Sequence, residues 1–179
     1  GRLRDLVNDV LDISRIESGA RKLDIARFSL TELIRGATEI YSKLTEKRGF
    51  TITFDSDCDA VVESDRTVVQ QIFYNLLNNA INYSGDSRTV AVTQTVSEDG
   101  SAVRITVRDY GEGIPADKLP LIWDRYYKVD KVHRRAAVGT GLGLSIVRGS
   151  TELLGGACGV SSTPGEGSSF WFELPCREC

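Results

Sequence analysis

The sequence predicts an α+β fold, a two-layer sandwich in which a mixed, mostly antiparallel sheet of about five strands is covered by three helices, with a further helix projecting from the N-terminus. Three observations carry that prediction. Strand-like and helix-like segments come in runs rather than in strict alternation. Two strand pairs are joined by tight-turn chemistry, at Asp99-Gly100 and between Pro164 and Gly167. The longest helical segment, opening at Asp65, carries one broad apolar face to lay on a sheet.

The 179 residues leave room for one domain and an appendage, and 41% hydrophobic residues suffice for a packed core. Charged residues make up 26%, yet the net charge is only -3, which argues against a nucleic-acid binder and against a disordered tail. Electrostatic function must then be local. No apolar run approaches the roughly 18–20 residues that cross a bilayer and no leader opens the chain, so a soluble segment with no membrane contact is expected. Cys58, Cys158, Cys176 and Cys179 are scattered rather than spaced for zinc, and a reducing cytoplasm is the simplest expectation. Cys176 and Cys179 form a C-x-x-C without the strand-then-helix setting of a redox motif.

Along the chain, Leu3, Leu6, Val10 and Ile13, widened by Val7 and Leu11, place one seam on a helix over 2–18 that Gly19 stops. Such a stripe outside the main domain calls for a partner helix. A strand is expected over Leu23 to Phe28, then Ser29 and Glu32 form a capping box for a helix to about Arg48. Phe50 to Phe54 alternates as a strand, and Asp65 is the N-cap of a helix ending near Tyr83 and Ser84. Strands over Arg88 to Val96 and Ala102 to Asp109 follow. A short helix near Ala116 to Trp123, a basic and glycine-rich loop to about Gly141, a helix over Leu142 to Leu154 and the closing hairpin complete the order.

Three stretches carry chemistry. On the Asp65 helix, Val68, Val69, Ile72, Phe73, Leu76, Leu77, Ala80 and Ile81 make the core face, and beside it Asn75, Asn78, Asn79 and Asn82 recur at helical spacing. Each asparagine costs about 0.6 kcal/mol relative to alanine in a helix interior. Alone, such a stripe is more often a solvated face, and the functional alternative is amide oxygens offered to a hard cation such as magnesium. In the second strand Val103, Ile105 and Val107 share a face, and Asp109 falls on it too. A carboxylate aimed at the core needs donors, and Gly111 and Gly113 allow a sharp turn and a flat ligand, with an adenine amino group a fitting donor. Finally Gly139, Thr140, Gly141, Leu142 and Gly143 open a helix, where free amides and the helix dipole favour phosphate. Arg125, Lys128, Lys131, His133, Arg134 and Arg135 precede them as a basic cluster. Neither a P-loop nor the dinucleotide fingerprint is present.

In order, these stretches resemble the boxes of sensor histidine kinases, within the nucleotide-binding superfamily that also holds gyrase and MutL. Gln71 to Ser84 is similar to the asparagine box and Asp109 to Pro115 to the first glycine box. Ile122 to Asp130 is similar to the aromatic box, Gly139 to Val147 to the second glycine box, and Gly165 to Phe170 to the closing segment. Leu6 to Gly19 resembles the second helix of the dimerisation and histidine-phosphotransfer hairpin. The resemblance implies a Bergerat-type ATP-binding fold over 21–179 and the remnant hairpin helix over 1–20. It implies that ATP and Mg2+ are bound, that Asn79 ligates magnesium with Asn75 supporting it, and that Asp109 accepts from the adenine amino group. Tyr83 would contact the base, and Gly111 and Gly113 would border it. Gly141 and Gly143, with Gly139, Thr140 and Leu142 around them, would offer amides to the phosphates. Lys128 would serve the transferring phosphate, and Ser168 would sit by Asp109. Asn82 and Lys128 replace the family's usual lysine and arginine, and Tyr110 and Trp123 its common asparagine and phenylalanine.

The family's phospho-acceptor histidine lies on the first hairpin helix, and the sole histidine here, His133, falls in the basic loop. The resemblance therefore implies a kinase domain that binds ATP and phosphorylates a hairpin not contained in these residues. Phosphate would pass on to a response-regulator aspartate, in a homodimeric full-length protein of which these residues are expected to be the cytoplasmic portion of a membrane-bound sensor. A hydrolytic switch of the gyrase kind is disfavoured, because Asn75 stands where that branch has a glutamate base and an amide cannot take a proton from water. A serine kinase lacks the seam helix, and a nucleotide-sensing module that transfers nothing is the remaining alternative.

Overall fold

The computed structural model describes residues 22–123 and 143–179. The seam helix over 2–18, the basic loop with Lys128 and His133, and Gly139, Thr140, Gly141 and Leu142 lie outside the described residues.

The chain enters through β1 (Ile25–Ser29) and α1 (Leu30–Thr45). Ser29 caps α1, its side chain accepting from Glu32 N–H at 3.1 Å, as the capping box predicts. Leu30, Leu33 and Ile34 face the core. The helix was expected to reach Arg48; its last turn is instead a tight 3-10 turn, Glu46–Arg48, closed by Gly49 at φ 81°. Then come β2 (Thr51–Ser56), β3 (Val61–Asp65) and α2 (Arg66–Tyr83). Asp65 holds the start of α2 by accepting from Val68 N–H at 3.1 Å, and accepts from Asp24 N–H at 3.0 Å as well. The eight α2 residues expected in the core are the eight that are buried. Trimming one such leucine or isoleucine to alanine costs about 2–5 kcal/mol.

The hairpin β4 (Thr89–Val96) and β5 (Ala102–Asp109) turns at Gly100, and α3 (Gly143–Leu153) precedes the closing hairpin β6 (Ala157–Thr163) and β7 (Gly167–Pro175). The short helix expected near Ala116 to Trp123 is a 3-10 helix, Ala116–Leu121. Five strands form one sheet in the order β2-β4-β5-β7-β6, with β2 parallel to β4 and the other pairs antiparallel. The register lines up Val92, Val107, Phe170 and Val160 across it. Val90, Val92, Val103, Ile105, Val107, Phe170, Phe172 and Leu174 are buried with the apolar faces of α1, α2 and α3, while Thr93, Thr106 and Trp171 fall on the opposite face. The α+β fold with a mixed five-stranded sheet and helices is as expected.

Two features were not foreseen. The first is β3, which pairs antiparallel with β1 in a separate two-stranded sheet. Its buried positions are Val62, Ser64 and Asp65, too polar a set to read as a strand. The second corrects the expectation of scattered cysteines: Cys58 and Cys179 are joined as a disulfide, with Cα atoms 5.5 Å apart. The chain's last residues fold back along β3, Val61 N–H donating to the Glu178 carbonyl and Arg177 N–H to the Val61 carbonyl, each at 2.8 Å. Arg27 of β1 pairs with Glu178. A separation of 121 residues hides that approach from any reading of cysteine spacing. Among the described residues no helix is long and apolar enough to cross a membrane.

Candidate nucleotide site

The last residue of β5 is the centre of the site. Continuing the inward face of Val103, Ile105 and Val107, Asp109 is 2% exposed. Its Oδ1 accepts from Gly111 N–H at 3.0 Å, and its Oδ2 is buried with no hydrogen-bond partner among the described residues. An unpaired buried acceptor is costly, which makes it a site waiting for a donor. Burial pushes the Asp109 carboxyl up to about 6, against the opposing pull of the Gly111 and Ser168 backbone amides and of Arg108. It is therefore mostly ionised at pH 7 and gains from any donor placed against Oδ2.

The turn after Asp109 is held by backbone approach. A Cβ on Gly111 would lie 1.8 Å from the Tyr83 carbonyl oxygen, so the turn packs directly on the C-terminal end of α2. Gly113 has φ 78°, and a Cβ there would meet the Thr163 carbonyl oxygen at 2.4 Å. On the β6–β7 side Gly165 N–H donates to the Glu112 carbonyl at 2.6 Å, and Ile114 N–H to Ser162 Oγ at 2.7 Å. The turn is thus clamped between α2 and the closing hairpin. Ser168 is the β7 register partner of Asp109 and is 5% exposed.

Asn75, Asn78, Asn79 and Asn82 are all half-buried, at the border between the core face of α2 and solvent. A Cβ on Gly143 would stand 3.6 Å from Asn75 Oδ1, so the start of α3 lies against the amide stripe. Trp123 packs edge-on to Phe170 with ring centroids 5.9 Å apart, and its carbonyl accepts from Ser145 Oγ at 2.8 Å. Trp123 and the start of α3 are thereby tied together beside this stripe.

Of the expected site residues, Tyr83, Asp109, Gly111, Gly113 and Ser168 come together at the turn, and Asn75 meets Gly143. Asn79 sits on α2 one turn from both Asn75 and Tyr83. Lys128, Gly139, Thr140, Gly141 and Leu142 lie outside the described residues. Sequence reasoning missed Ser162. The alternation Cys158, Val160, Ser162 opposite Phe172, Phe170, Ser168 puts it on the inward face, and a hydroxyl at an inward position of a closing strand was the available signal.

The chain matches the profile of the "Histidine kinase-, DNA gyrase B-, and HSP90-like ATPase" family over residues 64–178. It is similar to hybrid signal transduction histidine kinase B of Dictyostelium discoideum, 32% identical over 178 residues that cover 97% of this chain and 9% of that protein. Among solved structures it is similar to full-length ShkA in complex with AMPPNP, with TM-score 0.86 and 31% identity over 99% of this chain and 36% of that one. It also resembles the histidine kinase ThkA in complex with the response regulator protein TrrA, with TM-score 0.75 and 26% identity over 98% of this chain and 49% of that one. The chain thus spans less than half of each of these proteins. With the match running over 64–178, from the start of α2 through β7, the chain belongs to the histidine kinase, DNA gyrase B and HSP90-like ATPase family.

Proposed function

We propose that this domain is the ATP-binding catalytic domain of a sensor histidine kinase, which binds Mg-ATP between α2 and the residues preceding α3 and transfers its γ-phosphate to a histidine on a dimerisation hairpin. The observation that carries the base end is the buried, unpartnered Oδ2 of Asp109. An adenine amino group would donate to it, while Gly111 and Gly113, packed on the Tyr83 and Thr163 carbonyls, would hold the turn that borders the base, and Tyr83 would contact it. Asn79, supported by Asn75, would hold Mg2+ through its amide oxygen, and that ion would offset phosphate charge. Gly141 and Gly143, with Gly139, Thr140 and Leu142, would give amides to the phosphates at the start of α3. Lys128 would act on the transferring group as a point charge.

On this reading residues 1–20 are the second helix of the hairpin and 21–179 the catalytic domain. The acceptor hairpin, a second copy in a full-length homodimer and a response regulator are the partners, the last in line with the ThkA–TrrA complex. The setting is cytoplasmic. There Cys58 and Cys179 would be held as thiols, and the Val61–Glu178 bridge and the Arg27–Glu178 pair keep the chain's last residues beside β3 without the disulfide.

The test supplies the acceptor. The domain is mixed with γ-labelled ATP, magnesium and a separate phospho-acceptor hairpin from a histidine kinase, and label on the histidine is counted. Label that appears only when hairpin, magnesium and domain are all present supports kinase function. ATP binding without any transfer to a panel of hairpins would favour a nucleotide-sensing module instead.

A further inference from the structure

Ser162 faces inward from β6 opposite Ser168, and Ser168 in turn stands opposite Asp109. The Ser162 hydroxyl has three partners: it accepts from Ile114 N–H at 2.7 Å, donates to the Gly167 carbonyl at 3.0 Å, and lies 2.8 Å from Ser168 Oγ. A hydroxyl has one proton and two lone pairs. With its proton on Gly167 and one lone pair on Ile114, Ser162 can meet Ser168 only as an acceptor. The Ser168 proton is therefore drawn toward β6, and only lone pairs of Ser168 remain for the space beside Asp109. Asp109 Oδ2, buried and unpartnered, is an acceptor too.

We infer that Ser162 is a specificity-determining positioning residue: by taking up the proton of Ser168 it makes the wall of the base slot acceptor-only, so that a purine with an amino group at its six position is admitted and one with a carbonyl there is opposed. The inference rests on the ATP-binding reading above and deepens it. Ser162 acts through Ser168 and does not itself touch the nucleotide. Freed of Ser162, the Ser168 hydroxyl can rotate and present its proton to a six-position carbonyl, and the slot loses its preference.

Inosine triphosphate, with a carbonyl at the six position, is the probe. Dissociation constants for Mg-ATP and Mg-ITP are measured by calorimetry for the wild type, Ser162→Ala, Ser162→Thr, Ser168→Ala and the Ser162→Ala/Ser168→Ala double variant. Wild type prefers ATP. Ser162→Ala should lower the ATP-to-ITP preference by about tenfold, the scale of one hydrogen bond reversed, and Ser162→Thr should restore it. In the Ser168→Ala background, removing the Ser162 hydroxyl should leave the ratio unmoved. Equal weakening of both nucleotides by Ser162→Ala, or the same change of ratio with and without Ser168, overturns the inference and leaves ATP binding standing. A wild-type protein that binds neither nucleotide overturns both. Should Ser162→Ala fail to fold, Ser168→Ala decides: an unchanged preference there also overturns it.

Discussion

The Asp109 turn and the amide edge of α2 are built by different means. At the turn, backbone atoms set the geometry: Gly111 packs against the Tyr83 carbonyl, Gly165 N–H is bound to Glu112, and the Asp109 carboxylate is buried among them. Along α2 the helix backbone is fixed by eight buried residues, and the four asparagines are half-buried side chains riding on it. A side chain added to a glycine of the Asp109 turn moves the frame, whereas a side-chain change at Asp109 or on the amide edge alters a contact and leaves the frame in place. The first kind should lower stability and binding together, the second binding alone.

The largest effect is expected from Gly111→Ala. Its Cβ would overlap the Tyr83 carbonyl oxygen, so α2 and the turn must part. Overpacking of this kind costs about 1–3 kcal/mol, which in a domain of this size lowers Tm by roughly 3–10 °C, and ATP affinity should fall by more than about 100-fold because the base slot shifts with the turn. Calorimetry and thermal melts check both, and unchanged ATP affinity would break the account of the clamp.

Next is Asp109→Asn. Losing a charged acceptor should weaken ATP by about 10–100-fold, while the free protein should melt no lower than wild type at pH 7. The second expectation follows from the raised carboxyl. Because its folded value, about 6, stands above the ordinary 3.8, the folded state holds the proton more tightly than the unfolded chain. The stabilisation from that proton is full below about pH 4 and lost as pH rises through about 6. At pH 7 the buried anion is a burden that asparagine removes, on the order of 2–3 kcal/mol. Melts of both proteins at pH 5 and 7 measure it, and a large fall in Tm at pH 7 would contradict it.

A smaller, purely local effect is predicted for Asn79→Ala. The melting temperature should change little, adenosine should bind as before, and magnesium should no longer strengthen ATP binding, a loss of about tenfold. Titrations with and without magnesium decide it. The smallest effect on the nucleotide belongs to Cys58→Ser. The cross-link to Cys179 lies along β3, and its removal should leave ATP affinity unchanged. Under oxidising conditions it should still lower stability, by at most about 4–5 kcal/mol for so long a loop.

What was legible in the sequence follows the same division. Ser29 and Asp65 as helix caps, the eight-residue core face of α2, the two hairpins and the inward aim of Asp109 depend on periods and caps a few residues long, and all are as read. The asparagine and glycine spacings were legible because each is a local pattern. Hidden were β3, whose partner β1 is paired through a register such as Phe28 to Val62, and the Cys58–Cys179 link. Ser162 was hidden for the same reason, since its role depends on Ile114, which lies 48 residues away. Sequence patterns report which face a residue takes; they do not report what the opposite strand brings to it.

The central claim is that the buried carboxylate of Asp109 receives the base, and proton linkage tests it most directly. A donor against Oδ2 favours the ionised form, so bound nucleotide should lower the carboxyl from its free value of about 6. Mg-ATP is titrated by calorimetry between pH 5 and 8, in buffers of different ionisation enthalpy, with adenosine as a control free of phosphate titration. Affinity for both should rise as pH climbs through about 6, with proton release on binding near that pH, and Asp109→Asn should bind weakly with no such dependence for adenosine. Wild-type adenosine binding that is flat across this range and releases no proton would contradict the account.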